Sequence, residues 1–485
     1  MSAPSFRLRD IELYERPVEL RLPFRFGVVT LRAAPQAFVK LRIETADGRS
    51  SIGMAAELMV PKWFDKNPDL SNEQNFAQLR LSLRHAVDAY SDKALRSAFG
   101  HSAAHHRALV DQGAGRGLNP LVASYGPALL DRAVIDALCR LSNQPFAQGL
   151  RRNLFGIEAT ALTPDLAGFD LAAYLGELTP ARRIAARHTV GMLDPLTEAG
   201  LAAAERLNDG LPETLEGAIR RYGLRWFKLK VGGDIAADLA RLKAIAAVLD
   251  KAPEPYRASL DGNEQYDDAD GIAALWRAMR AEPDLRRLCA SIQYIEQPIK
   301  RAAALDKPVA SLAGEIPLIV DESDADYDVF PRARRLGYGG ISSKTCKGVY
   351  RAILNAARTK HWNRQMGRED CFVTGEDLTC QAGLSVQQDL ALVAALGLYH
   401  VERNGHHYVD GFGAAPQSEQ AAFAAAHPDL YDISSGRPRL RIAGGDIALG
   451  SLLDAPSFAS NAAPDWASLA AMNFTATAVL EGSTA

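Results

Sequence analysis

"WFKLKVGG", Trp226 to Gly233, sets two lysines two residues apart inside an otherwise apolar run. Side chains of a strand alternate faces, so Lys228 and Lys230 point the same way. Two ammonium groups on one side of a buried-looking strand need a compensating charge. The search for that charge leads along the chain and decides the fold.

From about Ala186 the sequence alternates short apolar runs with helical segments. Strand-like runs fall at "HTVGML", "WFKLKV", "RASLDGN", "IQYIEQP", "IPLIVDES", "GGISSKTC", "CFVTGED" and "LGLYHVE". Ala- and Leu-rich helices such as "IAADLARLKAIAAVL" and "VYRAILNAARTKHW" separate most of them. Eight strands with intervening helices are the count of a parallel (β/α)8-type TIM barrel, an α/β fold.

The strand ends carry the charge. The third run ends in Asp261 and Asn263, the fourth in Glu296, and the fifth in Asp321 and Glu322. Barrel enzymes place their chemistry at the C-terminal ends of the strands. Three carboxylates converging there repel one another unless a cation intervenes. Oxygen donors without histidine or cysteine favour magnesium over zinc. The alternative is that each acid caps the helix after its strand, a common place for Asp and Glu. Three such acids on successive strands make that alternative the weaker one.

Lys230 ends the strand before the first carboxylate, and Lys344 ends the strand after the last. Around the ring the order is Lys, Asp, Glu, Asp, Lys. A lysine acts as a base when desolvation and neighbouring positive charge lower its pKa. Lys228 and a metal would supply that charge to Lys230. A buried ion pair with one of the carboxylates is the structural alternative for either lysine. Lys347 lies past the strand end and ranks behind Lys344.

The rest of the chain bounds the class. It has 485 residues, 47% hydrophobic and 23% charged, with a net charge of -3, an ordinary globular composition. No basic run points to nucleic acid, and no apolar stretch approaches the roughly 20 residues that cross a bilayer. The N-terminus lacks an apolar signal core, so a cytoplasmic location is expected. The five cysteines form neither a CxxC pair nor a zinc spacing and read as reduced and packed.

Residues 1–155 read as an α+β unit. In "AFVKLRIETADG", Val39, Leu41 and Ile43 alternate with polar residues before an Asp47-Gly48 turn. A polar, partly helical stretch at 61–117 has the length of an insertion or lid. "PALLDRAVIDALCRLSN" reads as a helix with Leu129, Leu130, Val134, Ile135 and Leu138 on one stripe. Residues 156–410 form the expected barrel. Residues 411–485 are Ala- and Ser-rich, expected to pack back on the N-terminal unit with a frayed end. "HSAAHH" places His101 and His105 one helical turn apart, but no partner acid is evident and a solvated helix face is expected.

The ordered set "KLK", "DGN", "EQP", "DES" and Lys344 resembles the enolase superfamily, specifically its muconate-lactonizing-enzyme subgroup. Successive key positions are 31, 35, 25 and 23 residues apart, about one β/α repeat each. "RIETADGRSSIGMAAE" is similar to the family's N-terminal α+β capping domain. The resemblance implies Mg2+ held by Asp261, Glu296 and Asp321 and bound by a small-molecule carboxylate substrate. Lys230 and Lys344 would act as bases on opposite faces, with the metal stabilising an enediolate. Racemisation or epimerisation, cycloisomerisation or elimination could follow. Lys228, Asn263 and Glu376 would contact the substrate, and Arg21 or Arg25 of "RLPFRFG" would meet a distal anionic group; a helix cap for Glu376 and solvent exposure for the arginines are the structural alternatives. Relatives are often dimers or larger, which leaves a homo-oligomer open.

Two departures narrow the resemblance. The seventh strand offers no histidine base, unlike the mandelate racemase and sugar-acid dehydratase branches. The Asp-x-Asp pair typical of dipeptide epimerases after the eighth strand is replaced by "HVERNGHH". A catalytically silent barrel that binds a small acid, or serves an assembly, is the reading from another class. Retention of both lysines argues against it. Metal-dependent hydrolysis or aldol cleavage would want histidine-rich or Schiff-base strand ends, which the sequence lacks.

Overall fold

The computed structural model describes residues 3–26, 29–252 and 254–477. The N-terminal sheet is a meander of three long antiparallel strands, β1 (Phe6–Phe26), β2 (Val29–Thr45) and β3 (Ser50–Leu58). Its inner face follows from the alternation in β2, where Val39, Leu41 and Ile43 are buried and Lys40, Arg42 and Glu44 are not. Two helices follow, α1 (Asn72–Tyr90) and α2 (Ala98–Ala114). A capping box fixes the start of α1, with Ser71 Oγ accepting from Gln74 N and the Gln74 side chain accepting from Ser71 N. The polar stretch at 61–117 is therefore mostly helix.

Tyr125–Leu141 is a helix as expected, but its burial is not confined to one stripe. It lies against β3 on one side and the turn after Lys344 on another, so Asp131, Arg132 and Asp136 are buried with the leucines. Gly53 permits the close approach. A Cβ there would stand 2.0 Å from Ala133 O and 2.4 Å from Ala137 N.

Eight parallel strands make the barrel: β4 (Arg183–Val190), β5 (Trp226–Lys230), β6 (Arg257–Asp261), β7 (Ile292–Glu296), β8 (Leu318–Val320), β9 (Gly340–Ser343), β10 (Phe372–Gly375) and β11 (His400–Arg403). Each pairs with its sequence neighbour, and β11 closes on β4 with Val401 opposite Ala186. All eight runs read from the sequence are strands. The first begins earlier than "HTVGML", at Arg183, because Asp446–Ala448 pairs with Arg183–Ala185 and β11 pairs from Ala185 onward.

Later segments reach both units. Asp446–Ala448 pairs antiparallel to the start of β4, and Ala470–Ala471 pairs with Tyr14–Glu15 of β1. Arg16 forms a two-pronged ion pair with Glu419. The chain end expected to fray lies, from 478 onward, outside the described residues. No helix among the described residues is long and apolar enough to cross a membrane.

Candidate active site

The barrel mouth is built from strand ends that arrive in register. Lys230 lies opposite Asp261, and Asp261 opposite Glu296, across β5, β6 and β7. Beyond the strands the backbone turns sharply, with positive φ at Asn263 (40°), Glu264 (68°) and Gln297 (31°). Such conformations cost free energy in residues other than glycine and cluster at sites the surrounding fold holds rigid.

Lys230 Nζ donates to Asp261 Oδ2 at 2.6 Å, and Lys344 Nζ donates to Asp321 Oδ2 at 2.6 Å. Both lysines line one cavity, roofed by Phe24, Phe26 and Trp63 of the N-terminal unit. Lys344 Nζ lies 4.3 Å from the centre of the Trp63 ring, and Lys230 Nζ lies 6.0 Å from that of Phe24. Each lysine thus has one carboxylate partner and one aromatic cover.

Lys228 sits deeper. Its ammonium lies 2.9 Å from Asp261, 2.8 Å from Glu296, 3.0 Å from Glu376 and 2.9 Å from Glu402. Four carboxylates around one cation leave the group short of positive charge. Arg187 on β4 adds some, bonding both Glu376 and the carbonyl of Gly375. The shortage shows at Glu296, whose pKa is pushed well above the carboxylate range by burial and then by Glu376, with Lys228 opposing.

Burial depresses the Lys344 pKa, but the Asp321 carboxylate outweighs it and the net shift is upward. Asp321 is held well below its ordinary range because Lys344 and Lys347 outweigh its desolvation. The positive neighbours expected of Lys230 are Lys228, which shares Asp261 with it, and a metal. The nearest charge to Lys344 is negative.

The three carboxylates read as a metal set lie at one mouth with lysines between them. They are not among the described groups whose ligand atoms come within 4.8 Å of one another. The donor chemistry nevertheless fits a hard divalent cation. Glu296 Oε2, though 2.8 Å from Lys228 Nζ, accepts no well-directed hydrogen bond, and neither do buried Asn263 Oδ1 and Glu322 Oε2. Buried oxygens without donors, in a cluster short of positive charge, are suited to a cation.

The other expected contacts divide. Asn263 lines the cavity, with its amide nitrogen donating to Glu322. Glu376 lies instead inside the barrel, bonded to Lys228, Arg187 and Thr374. Arg25 is not among the lining residues. Phe24 and Phe26 point into the cavity, and strand alternation turns the residue between them away. Arg21 is committed to Asp209 and to the carbonyls of Pro212 and His407. Lys347 reaches Asp321 at 3.3 Å and Asp324 at 3.1 Å, so its turn after the strand does not remove it from the site.

Glu402, Arg187 and Trp63 are the residues the sequence reading missed. Glu402 had a signal, an acid near the end of the eighth strand like those of the third, fourth and fifth. Trp63 had none, because its approach to Lys344 depends on how the two units pack.

With this geometry in place, comparison with known proteins shows what the chain resembles. Residues 211–412 match the family model described as enolase C-terminal domain-like. Over these residues the chain resembles the enolase superfamily, in line with the resemblance read from the sequence. The fold is similar to a dipeptide epimerase from Cytophaga hutchinsonii complexed with Mg and D-Ala-L-Val (18% identity, 84% of this chain and 89% of that one, TM-score 0.51). It is also similar to a muconate lactonizing enzyme from Mucobacterium Smegmatis complexed with muconolactone (18%, 92% and 94%, TM-score 0.52). A third similar structure is an enolase from Bradyrhizobium complexed with magnesium and mandelic acid (16%, 92% and 94%, TM-score 0.55). At these identities the likeness is one of fold: a closed eight-stranded barrel with an antiparallel capping sheet. No curated protein sequence matches the chain.

Proposed function

We propose that the chain is a magnesium-dependent enzyme that removes the proton alpha to the carboxylate of a small acid. Racemisation or epimerisation, cycloisomerisation or elimination are the outcomes open to the resulting enediolate. The observation that carries this reading is the pairing of Lys230 and Lys344 with the first and last of three strand-end carboxylates, both amines lining one cavity. Magnesium complexes of the similar dipeptide epimerase and mandelic-acid-bound enolase support the choice of metal.

Asp261, Glu296 and Asp321 would hold the cation, which when bound supplies positive charge against the substrate carboxylate. Turning Asp261 and Asp321 away from the lysines would remove the partner that keeps Lys344 protonated. Each amine could then exchange a proton with the alpha carbon. Lys228, fixed by Glu376 and Glu402, would set the positions of Asp261 and Glu296. Phe24, Phe26 and Trp63 exclude water and give the acid beyond its carboxylate an apolar wall.

The test is solvent-deuterium exchange into a panel of alpha-substituted acids with Mg2+, followed by proton NMR. The wild type should exchange the alpha proton. Lys230→Ala and Lys344→Ala should each retain exchange from one enantiomer only. Absence of exchange from every acid would sink the proposal in favour of a silent barrel that binds a small acid.

A further inference from the structure

Away from the barrel mouth, Asp92, His101 and His105 come together where α1 runs into α2. The sequence pattern predicts a solvated helix face here, and the structure differs. His101 is 0% exposed, because its face of α2 packs under the start of β1. Its Nε2 lies 2.8 Å from the carbonyl oxygen of Phe6. A carbonyl only accepts, so Nε2 carries the proton and Nδ1 presents a bare lone pair.

That Nδ1 is buried without a hydrogen-bond partner, and so is His105 Nε2. A ring nitrogen of each histidine and a carboxylate oxygen of Asp92 lie within 4.8 Å of one another. His105 Nε2 is 3.4 Å from Asp92 Oδ2. A tetrahedral cation with bonds of about 2.0–2.1 Å sets its ligands about 3.3 Å apart, so small side-chain rotations close the set.

The surroundings are those of a metal-ligand shell. A ligating histidine commonly donates its other ring N–H to a backbone carbonyl, which fixes tautomer and orientation. Ala94 N at 3.0 Å holds Asp92 Oδ1, and Arg96 Nη1 at 2.7 Å holds Oδ2, the oxygen facing His105, which a cation would share with that guanidinium. Burial lowers the pKa of both histidines, favouring the neutral form that binds metal. The rings of Phe6 and Tyr90 wall the histidines at 5.4 Å and 5.2 Å. His106 is not part of the set and pairs with Asp326 at 2.7 Å.

We propose that Asp92, His101 and His105 bind one divalent cation of the zinc class, with water completing the coordination. Two imidazoles and one carboxylate select zinc, cobalt or nickel over magnesium. The ion would tie the ends of α1 and α2 together and, through the Phe6 carbonyl, anchor the first residue of β1. The proposal does not depend on the reaction at the barrel mouth.

Zinc is titrated calorimetrically into the full chain with Mg2+ in excess to occupy the strand-end carboxylates, and Co2+ is followed by its ligand-field absorption. His105→Gln and Asp92→Asn are the variants, since both side chains reach the surface, and circular dichroism checks their folding. The wild type should bind one zinc beyond the magnesium and give intense tetrahedral cobalt bands. Its Tm should rise with zinc. Each variant should lose affinity by about tenfold or more and show no such rise. Equal zinc affinity in wild type and both folded variants overturns the proposal, as does a wild type without saturable zinc binding.

Discussion

Lys344 Nζ stands 4.3 Å from the centre of the Trp63 ring, so an amine at the end of β9 is roofed by a side chain from the N-terminal unit. A cation over an indole face gains about 0.5–2 kcal/mol, more as water is excluded. Trp63→Leu should lower kcat/KM for alpha-proton exchange by about tenfold, roughly 1.4 kcal/mol, while Trp63→Phe keeps most of it. Exchange kinetics on the two variants check this, read on the enantiomer whose exchange Lys344→Ala abolishes.

Arg132 carries another link between the units. Its guanidinium lies 3.1 Å from Glu57 Oε2 and donates at 3.1 Å to Thr345 Oγ1, next to Lys344. Burial pushes the Glu57 pKa up to about 7 against the pull of Arg132. Arg132→Met should cost about 3–5 kcal/mol, because it strands a buried carboxylate. Arg132→Met with Glu57→Gln should cost clearly less. Urea unfolding of the two proteins decides it.

Stability should also report on Asp131. Burial raises its pKa to about 7, with Tyr90 and Ser102 donating to the carboxylate and opposing the shift. Between the ordinary aspartate value and about 7 the folded protein holds a proton that the unfolded chain has lost. The contribution of Asp131 to stability is therefore full in acid, declines as pH rises through that window, and is constant above it. Asp131→Asn has no such titration. The variant should gain on the wild type by up to about 4 kcal/mol between pH 4 and pH 7, measured by denaturant midpoints across the range.

Metal binding predicts a linked stabilisation. Mg2+ at about 100 times its Kd should stabilise the wild type by about 2.7 kcal/mol. Glu296→Gln removes one expected ligand but leaves Lys228 beside Asp261, Glu376 and Glu402. Its magnesium-dependent rise in Tm should fall to less than about half that of the wild type. An unchanged rise would place the cation elsewhere.

The barrel and its charged mouth were legible because they depend on local, repeated signals. Apolar runs at β/α spacing give the eight strands, and the C-terminal end of a parallel strand has a fixed side of the barrel. Asp261, Glu296, Asp321 and both lysines could thus be assigned to one mouth from sequence order. The distribution of charge among them could not. Glu402 comes beside Lys228 only when β11 closes on β4, far away in sequence, and Glu376 turns inward to Arg187 instead of toward the cavity.

The same limit applies to the histidines. One turn of helix sets His101 and His105 on one face by sequence alone. Their burial under Phe6 and the arrival of Asp92 depend on how α1, α2 and β1 pack. Strand order, strand ends and residue type were settled by the chain's own periodicity. Partner, protonation and access were settled by contacts between distant segments, because electrostatics and desolvation depend on distance in space and not along the chain.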